Sequence, residues 1–144
     1  MPTPNSMNTA KGRDFQTKAA EILARHFKVG FRTEYPVPIG NPSKEHKFDL
    51  VSDDLYYIGE SKNYSWTEGG NVPSAKMGFL NEAVFYLQHL PKDKKRFVVM
   101  RKDIDTKHTE SLAEYYYRTN RHLLNGVLIF EIDVITETIR ELGV

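Results

Sequence analysis

An α/β fold built on a mixed sheet is predicted by three observations. Apolar residues recur at three- and four-residue steps in three separated stretches, and short runs rich in β-branched and aromatic residues lie between them. After an opening helix and a block of three strands, the two kinds of segment alternate. The chain has 144 residues, 40% of them apolar, and no cysteine, which is the size of one domain able to bury a core without disulfides or a structural metal. The expected order is helix, three strands, helix, strand, helix, strand (α-β-β-β-α-β-α-β).

Residues 1–9 are expected to form a flexible N-terminal tail, with a single domain over 10–144. The first helix is placed from Ala10. Phe15, Ala19, Ile22, Leu23 and Phe27 fall at helical spacing, and Lys11, Lys18, Glu21, Arg25 and Lys28 occupy other positions. Thr9 is the expected N-cap and Gly30 the expected stop. FRTEYPVPI, KFDLVS and LYYIGESKNY then read as three consecutive antiparallel strands, separated by GNPSKEH and the turn-like Asp53-Asp54. Pro36 and Pro38 deny two ladder donors to the first of them, which marks it as an edge strand.

A loop, SWTEGGNVP, leads to a second helix over 74–90, with Met77, Leu80, Val84 and Leu87 on one side and Pro91 beyond its end. RFVVM is a continuous apolar run of the kind found in buried strands, TESLAEYYYRTNRHLL is helical, and GVLIFEI is a further strand. The last stretch, VITETIREL, fits either a short helix or a returning strand.

Composition narrows the chemistry. Without cysteine there are no thiolate metal sites and no thiol nucleophile, leaving carboxylate, Lys, His, Ser, Thr and Tyr. Twenty Lys and Arg against nineteen Asp and Glu exclude a strongly basic field over the whole molecule, though not a local one. Residues 1–35 hold six basic and three acidic side chains, and residues 91–102 six basic and one acidic. These two segments could wall a phosphate-binding cleft, or KDKKR could be a solvated turn. No apolar run approaches the roughly 20 residues of a membrane span, and the polar start lacks the apolar core of a secretory signal, so no membrane contact and a cytoplasmic location are expected.

The residues that carry chemistry are Asp49, Glu60 and Lys62. Side chains two apart on a strand point the same way, so Glu60 and Lys62 project side by side. If KFDLV lies against YIGESK, Asp49 arrives beside them from the neighbouring strand. Phe48 and Leu50 are expected together on the other face of that strand. Two carboxylates at the margin of a core need a cation or hydrogen bonds to compensate them, and with the Ser61 carbonyl, water and a phosphate they offer the oxygen-only shell that Mg²⁺ prefers. Gly59 and Ser61 are expected on the opposite face, small enough for a helix to approach. Taken alone, Glu-x-Lys on a strand is also the pattern of a solvated salt bridge in an unrelated α/β binding domain.

Asp49, ten residues, then Glu60-Ser61-Lys62 resembles the active-site signature of the PD-(D/E)XK nuclease superfamily. The helix, three strands, helix, strand order is similar to that superfamily's core, and KGRDFQTKAAEIL is similar to the first helix of its Holliday-junction-resolvase-like and Mrr-like branches. The resemblance implies a restriction-endonuclease-like mixed β-sheet flanked by helices, and a Mg²⁺-dependent endonuclease acting on duplex or branched DNA, with Mn²⁺ as a substitute ion. It implies Asp49, Glu60 and the Ser61 carbonyl as metal ligands and Lys62 as the residue that orients water or stabilises phosphorane charge. Gln16 stands where the family's first helix usually carries a Glu, and Glu21 is the next acid, so these two are the supporting residues to locate. Phe48 replaces the Pro of the family name. A non-catalytic nucleic-acid-binding protein that keeps the fold is the alternative.

Lys11, Arg13, Lys76 and Trp66 are the expected nucleic-acid contacts, with Trp66 or Tyr64 either stacking on a base or covering the core rim. No GxxxxGK[ST] or GxGxxG is present, so no nucleotide cofactor is expected, and the five scattered histidines form no HExxH. A single site per chain and two strands to cut point to a homodimer.

Overall fold

The computed structural model describes residues 4–144, with side chains from Ala10 onward. Its six strands form one open sheet in which every strand pairs with its neighbours in sequence. The elements are α1 (Pro4–Phe27), β1 (Phe31–Ile39), β2 (Lys44–Ser52), β3 (Tyr57–Lys62), α2 (Ser74–Leu87), β4 (Lys95–Arg101), α3 (Leu112–Asn120), β5 (Leu128–Asp133) and β6 (Thr138–Glu141). β1, β2 and β3 are antiparallel, β3, β4 and β5 are parallel, and β6 returns antiparallel to β5. The two parallel steps are bridged by α2 and α3, as parallel neighbours require. β1 is an edge strand and carries both prolines.

The sheet is covered on both faces. On one, α1 lays Phe15, Ala19, Ile22 and Leu23 against Leu50, Phe97, Val99, Phe130 and Ile132. On the other, Leu80, Ala83, Val84 and Leu87 of α2 and Leu112, Ala113 and Tyr116 of α3 pack on Phe48, Ile58, Val98, Met100 and Ile129. Ser111 caps α3, accepting from the Glu114 N–H while the Glu114 side chain accepts from the Ser111 N–H. The undecided C-terminal stretch is the strand β6.

Several local expectations change. α1 begins at Pro4, not Ala10, so residues 4–9 of the expected tail are helical, residues 1–3 lie outside the described residues, and Thr9 is inside the helix rather than its cap. Pro at the first helical position has the right φ and lacks only an N–H that would have no partner. The helix stops at Lys28, in the left-handed region at φ 58, before Gly30 is reached. Gly30 serves a contact instead, because a Cβ there would sit 2.4 Å from an Asp53 carboxylate oxygen. Gly59 lies opposite Glu60 as expected, but it admits a ring rather than a helix, since its Cβ would fall 2.3 Å from Phe97.

The most consequential departure is at Asp49. Phe48 and Leu50 do not share a face, because Phe48 packs under α2 and Leu50 under α1. Alternation breaks between them, where Glu34 on β1 takes φ 52 and the Glu34–Asp49 pairing drops out of the ladder. The β2–β3 ladder likewise ends at Leu50 and Gly59. Beyond that pair the two strands are joined through side chains.

Candidate functional site

The place where β2 and β3 part brings the predicted residues together. The Ser61 N–H donates to Asp49 Oδ2 at 2.9 Å, and the Asp49 N–H donates to Glu60 Oε2 at 3.3 Å. Each carboxylate thus replaces a missing ladder acceptor, which satisfies buried backbone donors that would otherwise be costly. The exchange also fixes both acids close to each other. The Ser61 hydroxyl adds a longer contact of 3.4 Å to the same Asp49 oxygen.

Glu60 is 7% exposed, and its carboxyl pKa is pushed up to about 9. Burial is the largest cause, followed by the hydrogen bond and the charge of Asp49, while Lys62 pulls the other way. The pair lacks enough positive charge nearby to keep both acids ionised.

His46, one of the five histidines that form no motif in the sequence, completes the inner side of the site. Its Nε2 is 3.1 Å from Glu60 Oε1, its ring stacks on Tyr86 at 4.5 Å and 13°, and its edge meets Phe48. Burial lowers its pKa below the usual 6.5, against the opposing charges of Asp49 and Glu82, so it is neutral at pH 7. Its strand begins at Lys44, three residues before the expected Lys47. With the strand extended, His46 and Phe48 become i, i+2 neighbours on the face under α2.

Two depressions meet at Lys62. The larger, about 630 Å³, is lined by Lys11 and Gly12 of α1, Ser61 to Ser65, Pro73 and Lys76 at the start of α2, and Arg101 at the end of β4. The smaller, about 130 Å³, is lined by His46, Glu60, Phe79, Glu82, Ala83 and Tyr86. Lys62 belongs to both. The cleft is basic, with Lys11, Lys62, Lys76 and Arg101 on its walls.

Asn63 and Arg101 brace that wall. Arg101 Nε donates to Asn63 Oδ1 at 2.6 Å, and its Nη2 donates to Ser65 and to Asp103. Asn63 Nδ2 in turn donates to the Lys11 carbonyl at 3.4 Å, tying α1 to the end of β3. Lys76 lies over the Tyr64 ring at 5.2 Å and the Phe79 ring at 5.9 Å.

Other expected residues fall elsewhere. Trp66 is 6% exposed, stacked face to face on His108 at 3.5 Å and edge-on to Tyr115, so its ring is a core element and is not offered to a base. Arg13 is exposed but does not line the cleft, and Gln16 is half-buried one turn after Gly12, also outside the lining. Glu21 is exposed beyond it and supplies no ligand beside Asp49. Of the basic segment 91–102, Arg101 alone lines the cleft, because Lys95 and Arg96 pair with Tyr57 and Ile58 at the far end of β3. Lys95 there lies over Phe27 and Tyr57.

Among the described residues no group of three or more His, Asp or Glu side chains is gathered as a metal cluster, and no helix is long and apolar enough to cross a membrane. No protein-family model and no curated protein matches the chain.

Proposed function

We propose that the protein is a Mg²⁺-dependent endonuclease of the PD-(D/E)XK type, with a restriction-endonuclease-like core, that hydrolyses phosphodiester bonds of duplex or branched DNA. The observation that carries this reading is the Asp49–Glu60 pair, held together at a break in the sheet and short of positive charge, with Lys62 between it and a basic cleft. Such an arrangement is expensive as structure alone, because a buried Glu60 beside Asp49 resists ionisation, a cost that a bound cation offsets.

The donor set fits a hard divalent ion. Asp49, Glu60 and the Ser61 carbonyl offer oxygen only, the preference of Mg²⁺, and Mn²⁺ shares that chemistry. When bound, the ion would supply Lewis acidity and a water of lowered pKa. The chain's own residues do the rest. Lys62 places an ammonium where a phosphate entering from the cleft would gather negative charge in the transition state, a term worth about 10²- to 10³-fold in rate. Lys11 and Lys76 hold the flanking phosphates and set the strand's register without reading its sequence. Asn63 and Arg101 keep the wall rigid. Two strand cuts with one site per chain favour a homodimer.

A second reading, nucleic-acid binding without cleavage, is favoured by one observation. Gln16 replaces the usual acid, and neither it nor Glu21 joins the carboxylate pair. Plasmid, branched and single-stranded DNA incubated with Mg²⁺ or Mn²⁺ separates the two. Metal-dependent cleavage by the wild type that disappears in Asp49→Ala and Lys62→Ala supports the nuclease. Binding without cleavage supports the alternative, and equal metal-independent background in all three proteins removes the nuclease reading.

A further inference from the structure

The outward face of α2 is unlike the surface of an ordinary amphipathic helix. Its inward residues Leu80, Ala83, Val84 and Leu87 are buried as expected. Its outward stripe, however, runs Ser74, Ala75, Gly78, Asn81, Glu82 and Phe85 and continues to His89 just past the helix end, with Glu82 as its single formal charge. Phe85 is 58% exposed on this stripe and Phe79 is 47% exposed beside it. Phe85, Val84, Asn81 and Gln88 also form one wall of an apolar groove of about 270 Å³, whose other wall includes Leu123, itself 58% exposed. Apolar side chains of this size, grouped on one helix, mark a surface that is normally covered.

Gly78 leaves room for a cover. A glycine inside a helix costs about 1 kcal/mol relative to alanine, and a Cβ placed on Gly78 would meet nothing within 4 Å in its own chain. Nothing within the chain therefore calls for a glycine there. A bulky group arriving from outside would.

The stripe is complementary to itself. Small residues (Ser74, Ala75, Gly78) occupy its N-terminal half and the large Phe85 its C-terminal half, with His89 just past the helix end. A second α2, laid antiparallel about a two-fold axis between Asn81 and Glu82, sets Phe85 of each copy over Gly78 of the other. At the axis, Asn81 of one copy faces Glu82 of the other. Asn81 is exposed and its Oδ1 accepts the Tyr116 hydroxyl at 2.8 Å, which leaves its two amide N–H groups as the donors a carboxylate can accept from. The lone charge of the stripe thus meets a donor and not its own twin.

We infer that α2 is the homodimerisation surface of this protein, packing antiparallel on α2 of a second copy with Phe85 seated over Gly78. The surface deepens the homodimer of the proposed function, on which it rests, and Phe79 and Glu82 set it beside the smaller depression of the candidate site. Because isologous contact uses each patch twice, one substitution changes the interface at two places.

Mass measured by light scattering over a roughly hundredfold range of protein concentration tests it. The wild type is expected at twice the 16.6 kDa chain mass at the upper end. Gly78→Leu fills the seat of Phe85 while improving helix propensity. It should raise the dimer dissociation constant at least roughly thirtyfold, with the far-ultraviolet spectrum retained. Phe85→Asp should do the same. The chain has no cysteine, so Glu82→Cys beside the axis should form a linked dimer on mild oxidation, and Ile135→Cys on the exposed β5–β6 turn should not. A wild type monomeric throughout overturns the inference, as does a dimer indifferent to Gly78→Leu and Phe85→Asp. A monomer that cleaves DNA with Mg²⁺ fails this inference alone, and a dimer sensitive to both substitutions that does not cleave fails the nuclease reading alone.

Discussion

Glu131 on β5 and Glu60 on β3 are both buried acids of the central sheet, 2% and 7% exposed, yet their surroundings differ in one respect. Glu131 has its counter-charge built in. Arg140 contributes two contacts to Oε1, Nη2 at 2.7 Å and Nε at 2.8 Å, and the Ser111 hydroxyl donates to Oε2. Arg140 also reaches Glu114, the partner of Ser111 in the α3 cap, so the group ties α3 to the sheet's far edge. Glu60 has a second carboxylate, a neutral imidazole and one lysine instead. Burial of an acid therefore does not by itself mark a site; a shortage of opposing charge does.

The largest effect that would break this contrast concerns rate. Lys62→Ala and Asp49→Asn should each lower Mg²⁺-dependent DNA cleavage at least about 100-fold without unfolding the chain, measured by plasmid nicking beside circular dichroism. Glu131→Gln should leave cleavage per folded molecule within about twofold. If the two acids prove equally important to rate, the distinction is wrong.

Stability should show the reverse order. Arg140→Ala leaves Glu131 buried without its partner and should cost roughly 3 kcal/mol in urea unfolding. Glu60→Gln removes an acid whose ionised form the fold disfavours, and should raise the thermal midpoint at pH 8 in the absence of divalent ions by several degrees.

The pH dependence sharpens the same point. A carboxyl whose folded pKa lies above its unfolded value keeps more proton in the folded chain, so its contribution is fully present below about 4.5 and is lost as the pH rises toward 9. The metal-free wild type should lose thermal stability between pH 5 and pH 9, and Glu60→Gln should flatten that part of the curve. A wild type no less stable at pH 9 than at pH 5 would show that Glu60 is compensated after all.

The smallest effects belong to the cleft walls. Lys11→Ala and Lys76→Ala should each reduce the salt slope of DNA binding by about 1, roughly equally for all sequences. Trp66→Phe should lower stability through lost packing and leave DNA affinity unchanged.

Much of this was legible before the structure, for physical reasons that differ by residue. Glu60 and Lys62 share a face because strand side chains alternate, and Asp49 reaches them because a short turn forces β2 against β3. Pro36 and Pro38 place β1 at an edge because they lack N–H donors. His46 escaped because Lys44 and Glu45 have weak strand propensity, and only pairing with Pro38 and Ile39 extends β2 that far. The opposite facing of Phe48 and Leu50 depends on Glu34 at φ 52, a tertiary strain with no local signature in the sequence. Trp66 follows a catalytic-looking strand and resembles a base-stacking residue, but its burial depends on His108 and Tyr115, more than 40 positions away. The basic segment 91–102 divides because a strand separates its ends, leaving Lys95 at one end of β4 and Arg101 at the other.

The central claim is that Asp49 and Glu60 form a divalent-cation site. Calorimetric titration of the wild type and Glu60→Gln with Mn²⁺ at pH 8, without DNA, tests it most directly. The account predicts one ion per chain for the wild type, with affinity reduced at least about tenfold in Glu60→Gln. Equal binding by both proteins, or none by the wild type, would contradict it.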